Sequence, residues 1–121
     1  MSRILIADDE ESMRLLVGRA IAMDGHEIVT AEDGAEALEI LTDQDGAFDL
    51  LLTDIKMPIM DGIALALAAA RDFPDLTILL MTGFADQRER ARGLDAIVTD
   101  VLTKPFSLAD LRATVRRALA A

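Results

Sequence analysis

Short apolar runs alternate with amphipathic segments from one end of this chain to the other. The apolar runs occupy residues 3–7, 27–31, 48–52, 77–81 and 101–103, and each ends at polar or turn-forming residues. Runs of this length predict strands, and near-continuous apolar strands are typical of a parallel sheet that is buried on both faces.

Apolar residues at intervals of three and four predict the helices that connect these strands. The apolar faces consist of Met13, Leu16, Val17, Ala20 and Ile21; then Ala37, Leu38 and Leu41; then Ile63, Ala66, Leu67 and Ala70; and finally Leu108, Leu111, Val115 and Leu119 after a predicted N-cap at Ser107. A charged run at residues 87–92 predicts one more short, exposed helix. Five strand–helix units predict an α/β fold, with a parallel sheet covered on both faces and right-handed crossovers.

Composition limits the classes of function that are open to the chain. Its 121 residues fit one domain, so we expect residues 1–121 to form that domain without an effector domain. With 12 Lys and Arg, 22 Asp and Glu and only 3% aromatic residues, the chain is not expected to bind nucleic acid. The absence of Cys and of any long apolar run predicts a cytoplasmic protein that does not associate with membranes.

Polar residues with complementary chemistry stand at the carboxyl ends of the predicted strands. Asp8 and Asp9 follow the first, Asp54 the third, Thr82 the fourth and Lys104 the fifth. Because parallel strands present their carboxyl ends at one edge of the sheet, we expect these side chains to converge there. Three carboxylates without His or Cys suit Mg²⁺, and an added ammonium and hydroxyl group suit phosphoryl transfer.

Each of these residues also has a simpler structural explanation. Asp8 and Asp9 suit the start of a helix, and Asp54 could be a turn former. Thr82 could be an ordinary strand-end residue, and Lys104 could merely precede the proline that begins a helix. The functional interpretation rests on their occurrence together, because independent strand ends would otherwise have to supply matching chemistry by chance.

The order of these motifs resembles the receiver domain of two-component response regulators. The motifs are the acidic pair, the sequence TDIKMPIMDG after the third strand, Thr-Gly after the fourth and Lys-Pro-Phe after the fifth. The resemblance spans essentially the whole chain. It implies a flavodoxin-like, doubly wound fold with five parallel strands in the order 2-1-3-4-5 and five helices.

The resemblance also implies a role for each residue of the acidic site. Asp54 would accept a phosphoryl group from a phosphohistidine on a sensor histidine kinase or a histidine phosphotransfer protein. Asp9 and Asp54, together with Asp8 through water and the backbone carbonyl of Lys56, would hold Mg²⁺ or Mn²⁺. Such a protein would be no enzyme beyond its own phosphorylation and dephosphorylation.

Three further residues would read the phosphorylation state. Lys104 would contact a phosphoryl oxygen, and the Lys104–Pro105 peptide would be cis. Thr82 would move toward the phosphoryl group as the first part of a switch. In the family the second part is an aromatic residue three positions before the lysine, and this chain has Val101 there.

Among stand-alone receivers, the chain is similar to the CpdR type, through the run Thr82–Ala85 and the apolar end of the sequence. That similarity implies an adaptor that, when unphosphorylated, primes the ClpXP protease, so the downstream partner would be the ClpX unfoldase. A phosphorelay intermediate is an open alternative. A phosphohydrolase with an aspartyl-phosphate is a further one, although haloacid-dehalogenase-type enzymes have an Asp where this chain has Lys56.

Overall fold

The structure is a computed structural model that describes residues 2–83, 91 and 93–120. Its strands are β1 (Arg3–Ala7), β2 (Glu27–Ala31), β3 (Leu50–Asp54), β4 (Thr77–Thr82) and β5 (Asp100–Thr103). The helices of the described part are α1 (Glu11–Ala22), α2 (Gly34–Asp43), α3 (Gly62–Asp72) and α4 (Leu108–Ala120). All five strands pair in parallel in the order β2-β1-β3-β4-β5, which confirms the predicted sheet.

Both faces of the sheet are buried, and alternate residues of each strand point to opposite faces. Leu5, Leu51 and Leu80 pack in one core with residues of α2 and α3. Ile6 and Leu52 pack in a second core with residues of α1 and α4. The doubly wound architecture follows, because strands that are apolar on both sides need helices on both sides.

The described part contains four helices, whereas five were predicted. The fifth was expected at residues 87–92, where only Ala91 is described, in a helical conformation. None of the described helices has the length and apolar character needed to cross a membrane.

The predicted apolar faces of three helices are partly wrong. Leu16 of α1, Leu67 of α3 and Leu108 of α4 were expected in the core, but each is exposed. In α3 the buried side chains include Leu65 and Ala66, so the helix is rotated from the expected face. A run rich in alanine and leucine offers more than one apolar stripe, and only packing against the rest of the chain selects among them.

Strand β3 lies later in the chain than predicted. It begins at Leu50 and continues through Thr53 and Asp54, whereas the apolar run ends at Leu52. Thr53 pairs with Leu80 of β4, and Asp54 pairs with Met81. The neighbouring strand therefore extends β3 to include the carboxylate that was expected on a loop.

Candidate functional site

The predicted site residues meet at the carboxyl edge of the sheet. Asp8 directly follows β1, Asp54 is the last residue of β3 and Thr82 is the last residue of β4. Lys104 follows β5, and its backbone N–H donates to the Thr82 carbonyl oxygen at 2.7 Å. Strands β1, β3 and β4 are neighbours at the centre of the sheet, and β5, which precedes Lys104, is the edge strand beside β4.

Three carboxylates form a compact cluster at this edge. One oxygen from each of Asp8, Asp9 and Asp54 lies within 4.8 Å of the others. Asp8 is 1% exposed and Asp54 is 8% exposed, whereas Asp9 lies in contact with solvent. Oxygen-only ligands at this spacing fit a hard cation such as Mg²⁺. Two buried like charges are also costly without a cation to compensate them.

Lys104 supplies positive charge to the two buried carboxylates of the cluster. Its Nζ lies 3.4 Å from Asp8 Oδ2 and 3.4 Å from Asp54 Oδ1. The Lys104–Pro105 peptide bond is cis, as predicted. A single ammonium group thus contacts two carboxylates, and it lies close enough to contact a group bound at either one.

Asp54 is held by contacts to one of its two oxygens. Oδ1 accepts a hydrogen bond from the Ile55 N–H at 3.0 Å and contacts Lys104. Burial, together with the Asp8 charge, raises the pKa of Asp54 to about 6, against the opposing effects of Lys104 and the Ile55 N–H. The other oxygen, Oδ2, has no hydrogen-bond partner among the described residues. Because no buried side-chain oxygen of the described part lacks a partner, Oδ2 must be in contact with solvent.

A cavity of about 530 Å³ opens beside two of the carboxylates, Asp9 and Asp54. Its lining consists of Asp9, Glu10, Met13, Asp54, Lys56, Gly83, Lys104 and Pro105. Thr82 is fully buried beside this cavity, next to Gly83. The site therefore has room for a small anionic group in contact with Asp54 and Lys104.

Val101 lies behind the site, on β5. It is half-buried and packs against the core that includes Leu80, Ala91 and Val98. Phe84 and Ala85, which belong to the run behind the similarity to the CpdR type, lie outside the described residues.

The turn between β3 and α3 places Asp54 through contacts that sequence reasoning missed. The Gly62 N–H donates to the Ile55 carbonyl oxygen at 2.7 Å, and a β-carbon at Gly62 would overlap the Asp54 carbonyl oxygen. Ile59, in the same turn, has φ of 70° and is 84% exposed. The sequence marks this stretch only as a turn, and the need for glycine arises from the approach of the Asp54 backbone.

Arg14 is a second residue that the sequence analysis missed. Its Nη1 donates to the Asp8 carbonyl oxygen at 2.8 Å, and its Nη2 lies 3.7 Å from Glu32 Oε1. The only signal in the sequence is its place in the first helix, shortly after the acidic pair. His26, by contrast, lies just before β2 at the opposite edge of the sheet, where its Nδ1 accepts from the Ser2 N–H.

Comparisons with known proteins agree with this geometry. A family model described as the response regulator receiver domain matches residues 4–116. The response regulator receiver protein CpdR of Brucella abortus is 41% identical over 121 residues, which cover 100% of this chain and 99% of that protein. The response regulator MprA of Mycobacterium ulcerans is 37% identical over 97% of this chain, and the chain spans 50% of that protein's length.

A solved structure gives the same result for the fold. The response regulator TrrA of Thermotoga maritima, in complex with Mg²⁺–BeF, has a TM-score of 0.85 and 31% identity. The match covers 98% of this chain and 99% of that one.

Proposed function

Since this chain belongs to the family of response regulator receiver domains, we propose that it accepts a phosphoryl group on Asp54 and thereby controls a protein partner. Proteins of this family are regulators, and they interact with histidine kinases or phosphotransfer proteins. The observation that carries the proposal is the placement of a buried Asp54 beside Lys104 and two further carboxylates, in the lining of an open cavity.

The proposed transfer uses the two oxygens of Asp54 differently. Oδ1 remains in its hydrogen bond to the Ile55 N–H, which holds the carboxylate in place. Oδ2 attacks the phosphorus of a phosphohistidine, and the phosphorus–oxygen bond forms as the phosphorus–nitrogen bond breaks. The imidazole leaves with the electron pair of that bond and regains a proton from solvent. The product is an aspartyl-phosphate at the end of β3.

Lys104 and the other carboxylates stabilise the charge that the phosphoryl group brings. The Lys104 ammonium already lies 3.4 Å from Asp54 and needs little displacement to contact a phosphoryl oxygen. Asp8, Asp9 and Asp54, with the backbone carbonyl of Lys56, would hold Mg²⁺, which neutralises phosphoryl oxygens when it is bound. The Mg²⁺–BeF complex of the related TrrA supports this choice of cation.

Phosphorylation can be tested directly with a small phosphodonor. Incubation with acetyl phosphate and Mg²⁺ should add one phosphoryl group, and peptide mapping after borohydride reduction should locate it at position 54. Asp54→Asn should remove the modification, whereas Asp75→Asn, at an exposed position outside the site, should leave it intact. Modification of Asp54→Asn to the wild-type extent would refute the assignment.

The output of the modification is proposed to run through Thr82 and the strands beside it. The Thr82 carbonyl is bonded to the Lys104 N–H, so a shift at either residue is transmitted to the other. Val101 gives the chain no aromatic side chain to change rotamer, and its packing against the core that includes Leu80 and Val98 makes core packing the proposed route. Phosphorylation can shift the populations of the two states only by as much as it stabilises one state relative to the other.

For the downstream partner we propose the protease-adaptor role that the CpdR resemblance implies, with the ClpX unfoldase as partner of the unphosphorylated form. The 41% identity to CpdR, across the full length of both sequences, supports this choice. Affinity capture from native lysate with wild type and Asp54→Asn should recover ClpX with the variant at least as well as with wild type. Recovery of histidine phosphotransfer proteins alone would contradict the adaptor role and favour a phosphorelay intermediate.

A further inference from the structure

Asp9 has an unusual combination of properties for a metal ligand. It lies in contact with solvent, and within the described part of the chain no hydrogen bond or ion pair holds its carboxylate. The two other members of the cluster are buried, and Lys104 contacts both. The direction of the Asp9 side chain therefore depends on the backbone that carries it.

That backbone is fixed through Asp8. The Asp8 N–H donates to the Ala31 carbonyl oxygen at 3.1 Å, which anchors the peptide before it. The Asp8 carbonyl accepts from Arg14 Nη1 at 2.8 Å, which anchors the peptide after it. Because a peptide group is planar, the direction of the Asp8 carbonyl sets the direction in which the chain enters Asp9.

Arg14 is well placed to hold that carbonyl rigidly. Only 14% of its side chain is exposed, and its backbone N–H donates to the Glu10 carbonyl oxygen in the first turn of α1. Its second contact, with Glu32 at 3.7 Å, involves a carboxylate whose side chain is 70% exposed. Exposed ion pairs of this kind contribute little, so the bond to Asp8 is the stronger of the two contacts.

We propose that Arg14 is a positioning residue, which directs Asp9 toward the metal by holding the Asp8 carbonyl oxygen. The inference rests on the proposed function, because it assumes that the carboxylate cluster binds Mg²⁺. The residue touches neither metal nor phosphoryl group and acts only through the Asp8–Asp9 peptide.

The change in Mg²⁺ affinity on removal of Arg14 distinguishes a positioning role from a purely electrostatic one, because the two predict opposite directions. Arg14 is a cation near a cation-binding site, so removal of its charge alone would strengthen Mg²⁺ binding. Loss of a positioning contact has the opposite effect, and removal of groups that orient metal ligands typically weakens binding by roughly 10–100-fold.

The test is the Mg²⁺ dissociation constant, measured by titration calorimetry on wild type, Arg14→Met, Arg14→Lys and Glu32→Gln. Methionine keeps most of the apolar stem and removes both charge and donor, and we expect binding about tenfold weaker. Lysine keeps the charge and a donor and should recover part of the affinity. Glu32→Gln removes the exposed ion pair but leaves the bond to Asp8, and it should bind like wild type.

A second measurement reports on the mechanism in the metal-free protein. The backbone amide resonance of Asp9 should shift in Arg14→Met and stay in place in Glu32→Gln. If Arg14→Met does not fold, the measurements can be repeated in a Gly18→Ala background, since that change in the same helix has room for a methyl group.

Wild-type or tighter Mg²⁺ binding by folded Arg14→Met would overturn the role of Arg14 and leave the proposed function intact. A wild-type protein that bound no Mg²⁺ would instead overturn the proposed function and this role with it.

Discussion

Replacement of the phosphoryl acceptor is predicted to stabilise the metal-free protein. Burial and the Asp8 charge raise the pKa of Asp54 from 3.8 to about 6. Its charged form is therefore less stable in the folded protein than in the unfolded chain. Asp54→Asn removes that charge and keeps an oxygen that can accept from the Ile55 N–H.

The size of the gain follows from the shift in pKa. A difference of roughly two units, at about 1.4 kcal/mol per unit, corresponds to about 3 kcal/mol. The shift already includes the attraction of Lys104, which opposes the effect of burial. The value is an upper limit because Asp54 lines an open cavity, where solvent screens part of its charge. We expect the free energy of unfolding to rise by about 2 kcal/mol, equivalent to several degrees in Tm for a domain of this size.

The gain in stability from Asp54→Asn should depend on pH. Well below pH 3.8, Asp54 is protonated in both folded and unfolded chains, so it carries no penalty there. As pH rises from 3.8 to about 6, the unfolded chain ionises first and the folded state is progressively disfavoured. The advantage of Asp54→Asn should therefore be absent at the acid end, grow through this window and stay constant above it.

Urea unfolding in EDTA, followed by circular dichroism across this pH range, measures the effect. Asp75→Asn, at an exposed position, should show no comparable gain. Added Mg²⁺ should stabilise wild type more than Asp54→Asn and so reduce the difference. A gain independent of pH, or a loss of stability near neutral pH, would refute the explanation by burial of the charge.

Three further predictions concern the turn and the lysine. Gly62→Ala should destabilise the protein by more than about 2 kcal/mol, because its β-carbon would overlap the Asp54 carbonyl oxygen. Gly18→Ala, whose β-carbon would lie 3.7 Å from its nearest neighbour, should be neutral or stabilising, and equal urea midpoints for the two variants would contradict this. Ile59→Asn should stabilise the protein by about 1 kcal/mol, since asparagine tolerates positive φ and Ile59 is 84% exposed. Ile59→Val should give no gain, and destabilisation by asparagine in thermal melts would contradict backbone strain at this position. Lys104→Met should tighten Mg²⁺ binding by about three- to tenfold, because the Lys104 ammonium no longer competes with the metal for the buried carboxylates. Weaker Mg²⁺ binding in titration calorimetry would contradict this competition.

The site was more predictable than the surfaces of the helices. Asp8, Asp54 and Lys104 were identified because a polar residue directly after an apolar strand must lie at the sheet's carboxyl edge, whichever way the helices pack. Leu16 and Leu67 were assigned to the core incorrectly, because an apolar stripe in one helix does not specify which neighbour covers it.

By itself, the sequence determined the strands, the parallel sheet and the side chains that meet at its edge, since these follow from local patterns of apolar and polar residues. Only the tertiary structure decided how those side chains are held. The requirement for glycine at Gly62 comes from the Asp54 backbone, and the use of Arg14 comes from the Asp8 carbonyl. Such contacts join backbone groups to residues elsewhere in the chain. The pattern of apolar and polar side chains does not predict which backbone groups come close together in the folded protein.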